Sequence, residues 1–200
     1  VVCTDMTVYQ PLVNLVFHRL HIPVYQSGTE DILQKSVIAT VLMALDAALS
    51  GFDQKSVLRY LRSALSPVDP DTCDRIENYA IIWGIRGQKW TQSWENHPDG
   101  LSGVWTEEDQ HRLEELNTAR ELAIAPLTRL WQGFRDASDL RGQILALYGF
   151  LEDISLEMRL SRMAQELDAA GDNRAAQILN QLWEILLGAL EQMYDMLGDT

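Results

Sequence analysis

The sequence predicts a mainly α-helical protein that opens on a short strand–helix–strand remnant of an α/β domain. Three observations predict it. Apolar residues recur at helical spacing through nearly all of the chain after residue 26, in stretches bounded by helix punctuation. Before that point Val1-Val2-Cys3 and the run Leu20-His21-Ile22-Pro23-Val24-Tyr25 read as extended apolar pieces flanking one helix. One such unit cannot cover both faces of a sheet, so these first residues are expected to belong to a larger α/β domain and the chain to be a fragment of it.

At 200 residues and 46% apolar, the chain can bury a substantial core in one or two domains. Its net charge of −13 and pI near 4.6 argue against a surface built to neutralise phosphates over a broad area. The acid is unevenly placed: residues 1–100 carry 8 basic and 11 acidic side chains, residues 101–200 carry 8 and 18. Any nucleic-acid contact is therefore expected to lie in the first half. Cys3 and Cys73 lie far apart and read as buried or idle thiols. No apolar run approaches the roughly 20 residues of a membrane span, and no basic stretch leads an apolar one as in a secretory leader. A cytoplasmic protein with no membrane partner is the expectation.

The first helix runs from Thr7 to Leu20, with Val8, Leu12, Leu15, Val16 and Phe17 as the face expected to pack on Val1-Val2-Cys3. Pro23 biases the residue before it towards extended geometry and sets the turn into Val24-Tyr25. From Thr29 a second helix carries Ile32, Leu33, Val37, Val41, Leu45 and Leu49, and stops at Gly51. Asp53 is a good N-cap for a shorter helix through Val57, Leu58, Leu61 and Leu65. The linker Ser66-Pro67-Val68-Asp69-Pro70 supplies both a cap, Asp69, and a first-turn proline. The helix it starts presents Ile76, Tyr79, Ile82 and Trp83 and stops at Gly84.

A loop rich in glycine and tryptophan follows, GIRGQKWTQSWENHPDGLSG, long enough to imply a defined role or local disorder. Thr106 then caps a helix whose first turn holds Glu107, Glu108 and Asp109, where the helix dipole favours negative charge. Pro126 is expected to kink or break it. Further helices are read over about 139–151, with Ile144, Leu147 and Tyr148, and over 155–170, with Leu156, Leu160, Met163 and Leu167. The last, Asp172 to Leu197, aligns Ile178, Leu182, Ile185, Leu186, Ala189 and Met193 as a core face.

The chain contains no GxxxxGK[ST] phosphate loop, GxGxxG fingerprint, GxSxG elbow, HExxH or CxxC. His18 and His21 share a helical spacing, but no further ligand completes a metal site. Adjacent acids such as Glu114/Glu115 and Glu152/Asp153 point to different parts of a helix surface and read as a solvated face. The richest constellation is the run from Trp83 to Trp94. Arg86 and Lys89 supply donors, and Trp90 and Trp94 are candidate stacking planes for DNA or contacts for a partner. The structural alternative, a helix stop at Gly84 with the tryptophans tucked against the helices, is favoured over direct DNA contact.

The opening 49 residues, through the run ending DAAL, resemble the segment of superfamily 1 helicases where the chain enters its second RecA-like domain. The runs FDQKSVLRYLRSAL and ENYAIIWGIRGQKW are similar to the AddB (RexB) component of the AddAB helicase–nuclease, whose pattern has a helix of the FDxxxVxRYLRSxL kind and then ENYxxxxGIRGxxW. The resemblance implies that residues 1–26 are a strand–helix–strand remnant of the second RecA-like domain. Residues 27–200 would be the helical subdomain inserted in it, with helices before and after the Gly/Trp loop at 84–105. It further implies a parent that processes double-stranded DNA ends for recombinational repair, partnered by the motor and nuclease A subunit of the same complex, with ATP, Mg and an iron–sulfur cluster as its cofactors. No family motif that performs chemistry falls on this chain, so no catalytic residue and no cofactor are assigned to it. Its expected role is non-catalytic: positioning DNA or docking the motor subunit. The competing reading is a free-standing acidic helical protein-interaction module, which explains the composition but neither the opening strand–helix–strand nor the GIRGQKW turn. A small hydrolase has only unpaired carboxylates and lone histidines in its favour.

Overall fold

The computed structural model describes residues 6–22, 36–101 and 104–197. The chain forms two compact units, Val1–Ile32 and Leu33–Thr200. In the first, α1 (Met6–Arg19) closes with left-handed His21 at φ 53° and the Ile22 N–H donating to the Phe17 carbonyl at 2.9 Å. That bond spans five residues, the closure usually made by a glycine stop. Leu20 and His21 are thus a helix-terminating turn and not the start of a strand. The flanking strands expected at Val1-Val2-Cys3 and Val24-Tyr25 lie outside the described residues. Leu12, Leu15 and Val16, expected to pack, are exposed.

The second unit is helical: α2 (Ser36–Leu49), α3 (Gln54–Leu61), α4 (Pro70–Trp83), α5 (Glu107–Asp136), α6 (Leu140–Asp153), α7 (Leu156–Ala169) and α8 (Asn173–Leu197). Local chemistry sets the boundaries. Asp53, Asp69 and Asp139 each accept a first-turn backbone N–H, and Pro70 opens α4 where its missing N–H costs nothing. Thr106 and Asp109 form a reciprocal capping box at the start of α5.

Packing decides the rest. α2 turns Val37, Val41, Ala44, Ala47 and Ala48 inward and leaves Leu42 and Leu49 outside, so its buried face is largely alanine. α5 is the strut of the unit, about 45 Å long at 1.5 Å per residue, lying against α2, α4 and α6. Of the kink or break expected there, the break does not occur: α5 runs helically through buried Pro126. The proline removes the bond to the Leu122 carbonyl, on a residue that is 57% exposed, while Ala123, Ile124, Leu127 and Leu130 stay buried on either side. The interface with α6 is tight: a Cβ at Gly133 would lie 2.5 Å from Ala146 Cβ. In α8 the buried positions are Ala176, Leu182 and Leu190, joined by half-buried Leu179, Trp183, Leu186 and Tyr194. Ile185 and Met193, read as core, are exposed. Among the described residues, no helix is long and apolar enough to cross a membrane.

Candidate functional site

Gly84 ends α4 in the left-handed conformation at φ 58°, and the Ile85 N–H returns to the Ala80 carbonyl at 2.9 Å. Buried Ile85 follows, and Gly87, also at φ 58°, donates its N–H to the Phe52 carbonyl at 2.9 Å. The turn is thereby docked on the connection between α2 and α3. A short 3-10 turn, Gly87–Trp90, then drives Trp90 into the core at 0% exposure, with Trp94 close behind.

Trp94 is held on every side. Its ring stacks on Tyr79 at 4.4 Å between centroids with planes 11° apart, and the Arg120 guanidinium carbon lies 5.9 Å from its centre. Its indole N–H donates to the Lys89 carbonyl at 3.1 Å. Asn117 of α5 accepts from the Trp94 N–H at 2.8 Å and donates to the Trp94 carbonyl at 2.9 Å, pairing as a strand neighbour would. Arg120, one helical turn on, donates to the Trp90 carbonyl at 2.9 Å and to Asn117 Oδ1 at 3.3 Å. Arg120 is 8% exposed and has no carboxylate in ion-pair range among the described residues, and burial lowers its pKa from the usual arginine value.

A second polar knot closes the loop. Tyr79 donates to the Asn96 carbonyl at 3.2 Å and accepts from the Asn96 N–H at 3.1 Å, and the Trp83 indole N–H donates to the His97 carbonyl at 3.0 Å. Buried His97 accepts the Asp99 N–H on Nδ1 at 3.0 Å, which leaves the ring proton of the neutral form on Nε2. That nitrogen stands 3.4 Å from Asp109 Oδ2 without the alignment of a hydrogen bond. The Thr106 hydroxyl and Arg112 hold the Asp109 carboxyl well below the usual carboxylate range.

The four residues singled out from the sequence thus occupy one turn with different fates. Trp90 and Trp94 are core anchors whose rings are enclosed, so neither offers an open plane to a base. Lys89 is exposed, with its ammonium 3.5 Å from both the Trp83 and Gly84 carbonyls at the negative end of α4. Arg86 is exposed and, among the described residues, unpaired. Sequence reading missed Asn117 and Arg120. The signal was there in part, since Arg120 interrupts the buried stripe Leu116, Ala123, Ile124, Leu127. Among the described residues no group of three or more His, Cys, Asp or Glu could hold a metal ion, and Cys73 is a free, buried thiol.

No protein-family model matches the chain. Curated relatives do, along nearly all of it. The B subunit of the ATP-dependent helicase/deoxyribonuclease of Geobacillus thermodenitrificans is 32% identical over 203 residues, 95% of this chain and 17% of the relative. The proteins of the same name from Clostridium acetobutylicum and Anoxybacillus flavithermus are 25% and 29% identical, over 100% and 96% of this chain and 18% of each relative. The chain therefore spans 17–18% of the length of these relatives. The similarity to these relatives, whose motifs the sequence carries most plainly before Trp90, is found over 95–100% of the chain.

Proposed function

We propose that this chain is a non-catalytic helical arm of a protein of the ATP-dependent helicase/deoxyribonuclease kind, its AddB-type component, acting in the processing of double-stranded DNA ends for recombinational repair. The observation that carries this reading is the locked turn: the stretch ENYAIIWGIRGQKW, which bears part of the resemblance, is held by α5 through Arg120 at the Trp90 carbonyl, with Asn117 holding Trp94 just beyond it. Such a clamp makes the turn rigid. It suits an arm that positions DNA or docks the motor subunit while hydrolysis of ATP and of phosphodiester bonds takes place on other parts of the parent. ATP, Mg and an iron–sulfur cluster belong, on this reading, to those parts, and the parent works in the cytoplasm.

The charge distribution favours a docking role for much of the surface. With 18 acidic and 8 basic side chains, residues 101–200 suit a basic protein face better than a phosphate backbone. The test is assembly. Co-expression of the full-length parent with its motor partner, with and without Arg86→Ala and Lys89→Ala together, should show weakened complex formation or weakened binding to blunt duplex ends. A double variant that assembles and binds DNA ends like the parent would overturn the role assigned to this turn.

A further inference from the structure

The helices α6 and α8 lie in contact and leave an open groove of about 480 Å³ between them. Its floor is Ile144 and Leu190, both buried, and its walls are Leu145, Tyr148, Leu187 and Tyr194. Leu145 is 58% exposed and Tyr148 36%, so the α6 wall presents an aliphatic and an aromatic side chain, one turn apart, that the fold leaves uncovered. Glu191 and Asp195 line the groove from α8. Glu184, seven residues before Glu191, shares its helical stripe, and Glu152 lies beside the Tyr148 hydroxyl on α6. Carboxylates therefore edge the groove from both helices. Among the described residues, no ion pair engages Glu184, Glu191 or Asp195. Arg141 covers one end, its guanidinium carbon 5.1 Å from the centre of the Tyr194 ring.

An apolar floor between acidic edges selects a ligand that is apolar on one face and basic beside it. A groove formed by two helices suits a third: anchors at i, i+3, i+4 and i+7 of an amphipathic helix would follow its length and bring lysines or arginines to the edges. Unpaired charge around a contact matters most where separate chains must find each other, since it speeds encounter, a contribution that a contact within one chain does not need.

We propose that the groove between α6 and α8 docks an amphipathic helix with basic flanks, supplied by the motor partner. The proposal rests on the docking reading above and deepens it by naming a contact on elements other than the turn that carries Arg86 and Lys89.

The test uses the full-length parent co-expressed with its motor partner. A photo-crosslinking amino acid takes the place of exposed Leu145, and mass spectrometry sequences the peptide it captures. The expected product joins α6 to an amphipathic segment of the motor subunit rich in lysine and arginine. Glu191→Lys combined with Asp195→Lys should weaken the complex by on the order of tenfold and make it less sensitive to salt, with the melting temperature of the parent unchanged. A cross-link within the parent's own chain would overturn the proposal and make the groove an internal seam, leaving the docking reading standing. A cross-link to DNA, or to a motor segment without basic flanks, would overturn the assigned chemistry. A stable complex that gives no cross-link from position 145, or that is indifferent to the charge reversal, would overturn the site alone. Failure of the unmodified parent to associate with the motor partner would sink both the site and the docking reading beneath it.

Discussion

Asn117 and Trp94 face each other as two backbones do in a sheet: the carboxamide accepts from the Trp94 N–H at 2.8 Å and donates to the Trp94 carbonyl at 2.9 Å. One side chain thus satisfies both main-chain groups of a loop residue that enters the core and has no ladder of its own.

Asn117→Ala leaves those two groups unpaired in a part-buried site, and also removes an acceptor from Arg120. A loss of about 2–4 kcal/mol is expected from two orphaned main-chain groups. Urea unfolding of the variant measures it. A loss below about 1 kcal/mol would show that the loop re-pairs by another route.

Two glycines in the α5 and α6 pair should respond oppositely to the same change. Gly133→Ala drives a methyl to 2.5 Å from Ala146 Cβ and should cost about 1–3 kcal/mol by overpacking. Gly149→Ala meets nothing within 4 Å in α6 and should stabilise by about 0.5–1 kcal/mol through helix propensity. Thermal melts of the two variants give the sign of each.

The indoles differ in the same way. The Trp94 N–H is bonded to the Lys89 carbonyl, whereas that of Trp90 is buried without a partner among the described residues. Trp94→Phe should therefore cost more than Trp90→Phe by roughly 1–2 kcal/mol, because only the former breaks a bond. Equal losses in denaturant titrations would mean that ring volume, and not the hydrogen bond, governs both sites.

Acid should act through Asp109. Its carboxyl is held low in the fold by the Thr106 hydroxyl and Arg112, so it binds its proton later than in the unfolded chain. The stability it contributes is complete above the unfolded carboxylate value, near pH ~4, and is lost as pH falls below that towards the depressed folded value. Asp109→Asn should flatten the acid limb of a plot of melting temperature against pH. An unchanged limb would assign the acid sensitivity to other carboxylates.

Much of this molecule was legible in the chain. Asp69 and Pro70, Gly84, and Thr106 with Asp109 mark helix ends because caps act over three or four residues, and the structure places the ends there. The resemblance to the helicase/deoxyribonuclease relatives was legible too, in FDQKSVLRYLRSAL and ENYAIIWGIRGQKW, and so was the clustering of Arg86, Lys89, Trp90 and Trp94 on one turn. What those residues do was decided in three dimensions. Asn117 and Arg120 reach Trp94 and Trp90 across 23 and 30 residues, and those contacts turn the tryptophans from candidate stacking planes into anchors. Long-range packing also keeps α5 helical through Pro126, where the buried residues on both sides outweigh one missing hydrogen bond. In α8 the apolar residues spread over more than one stripe, and contact with α6 and α7 centres the packed stripe on Leu179, Leu182, Trp183 and Leu190, leaving Ile185 and Met193 exposed at its edge. Local hydrogen-bonding chemistry is written in neighbouring residues, whereas the choice among near-equal apolar faces depends on partners that only the folded chain brings together.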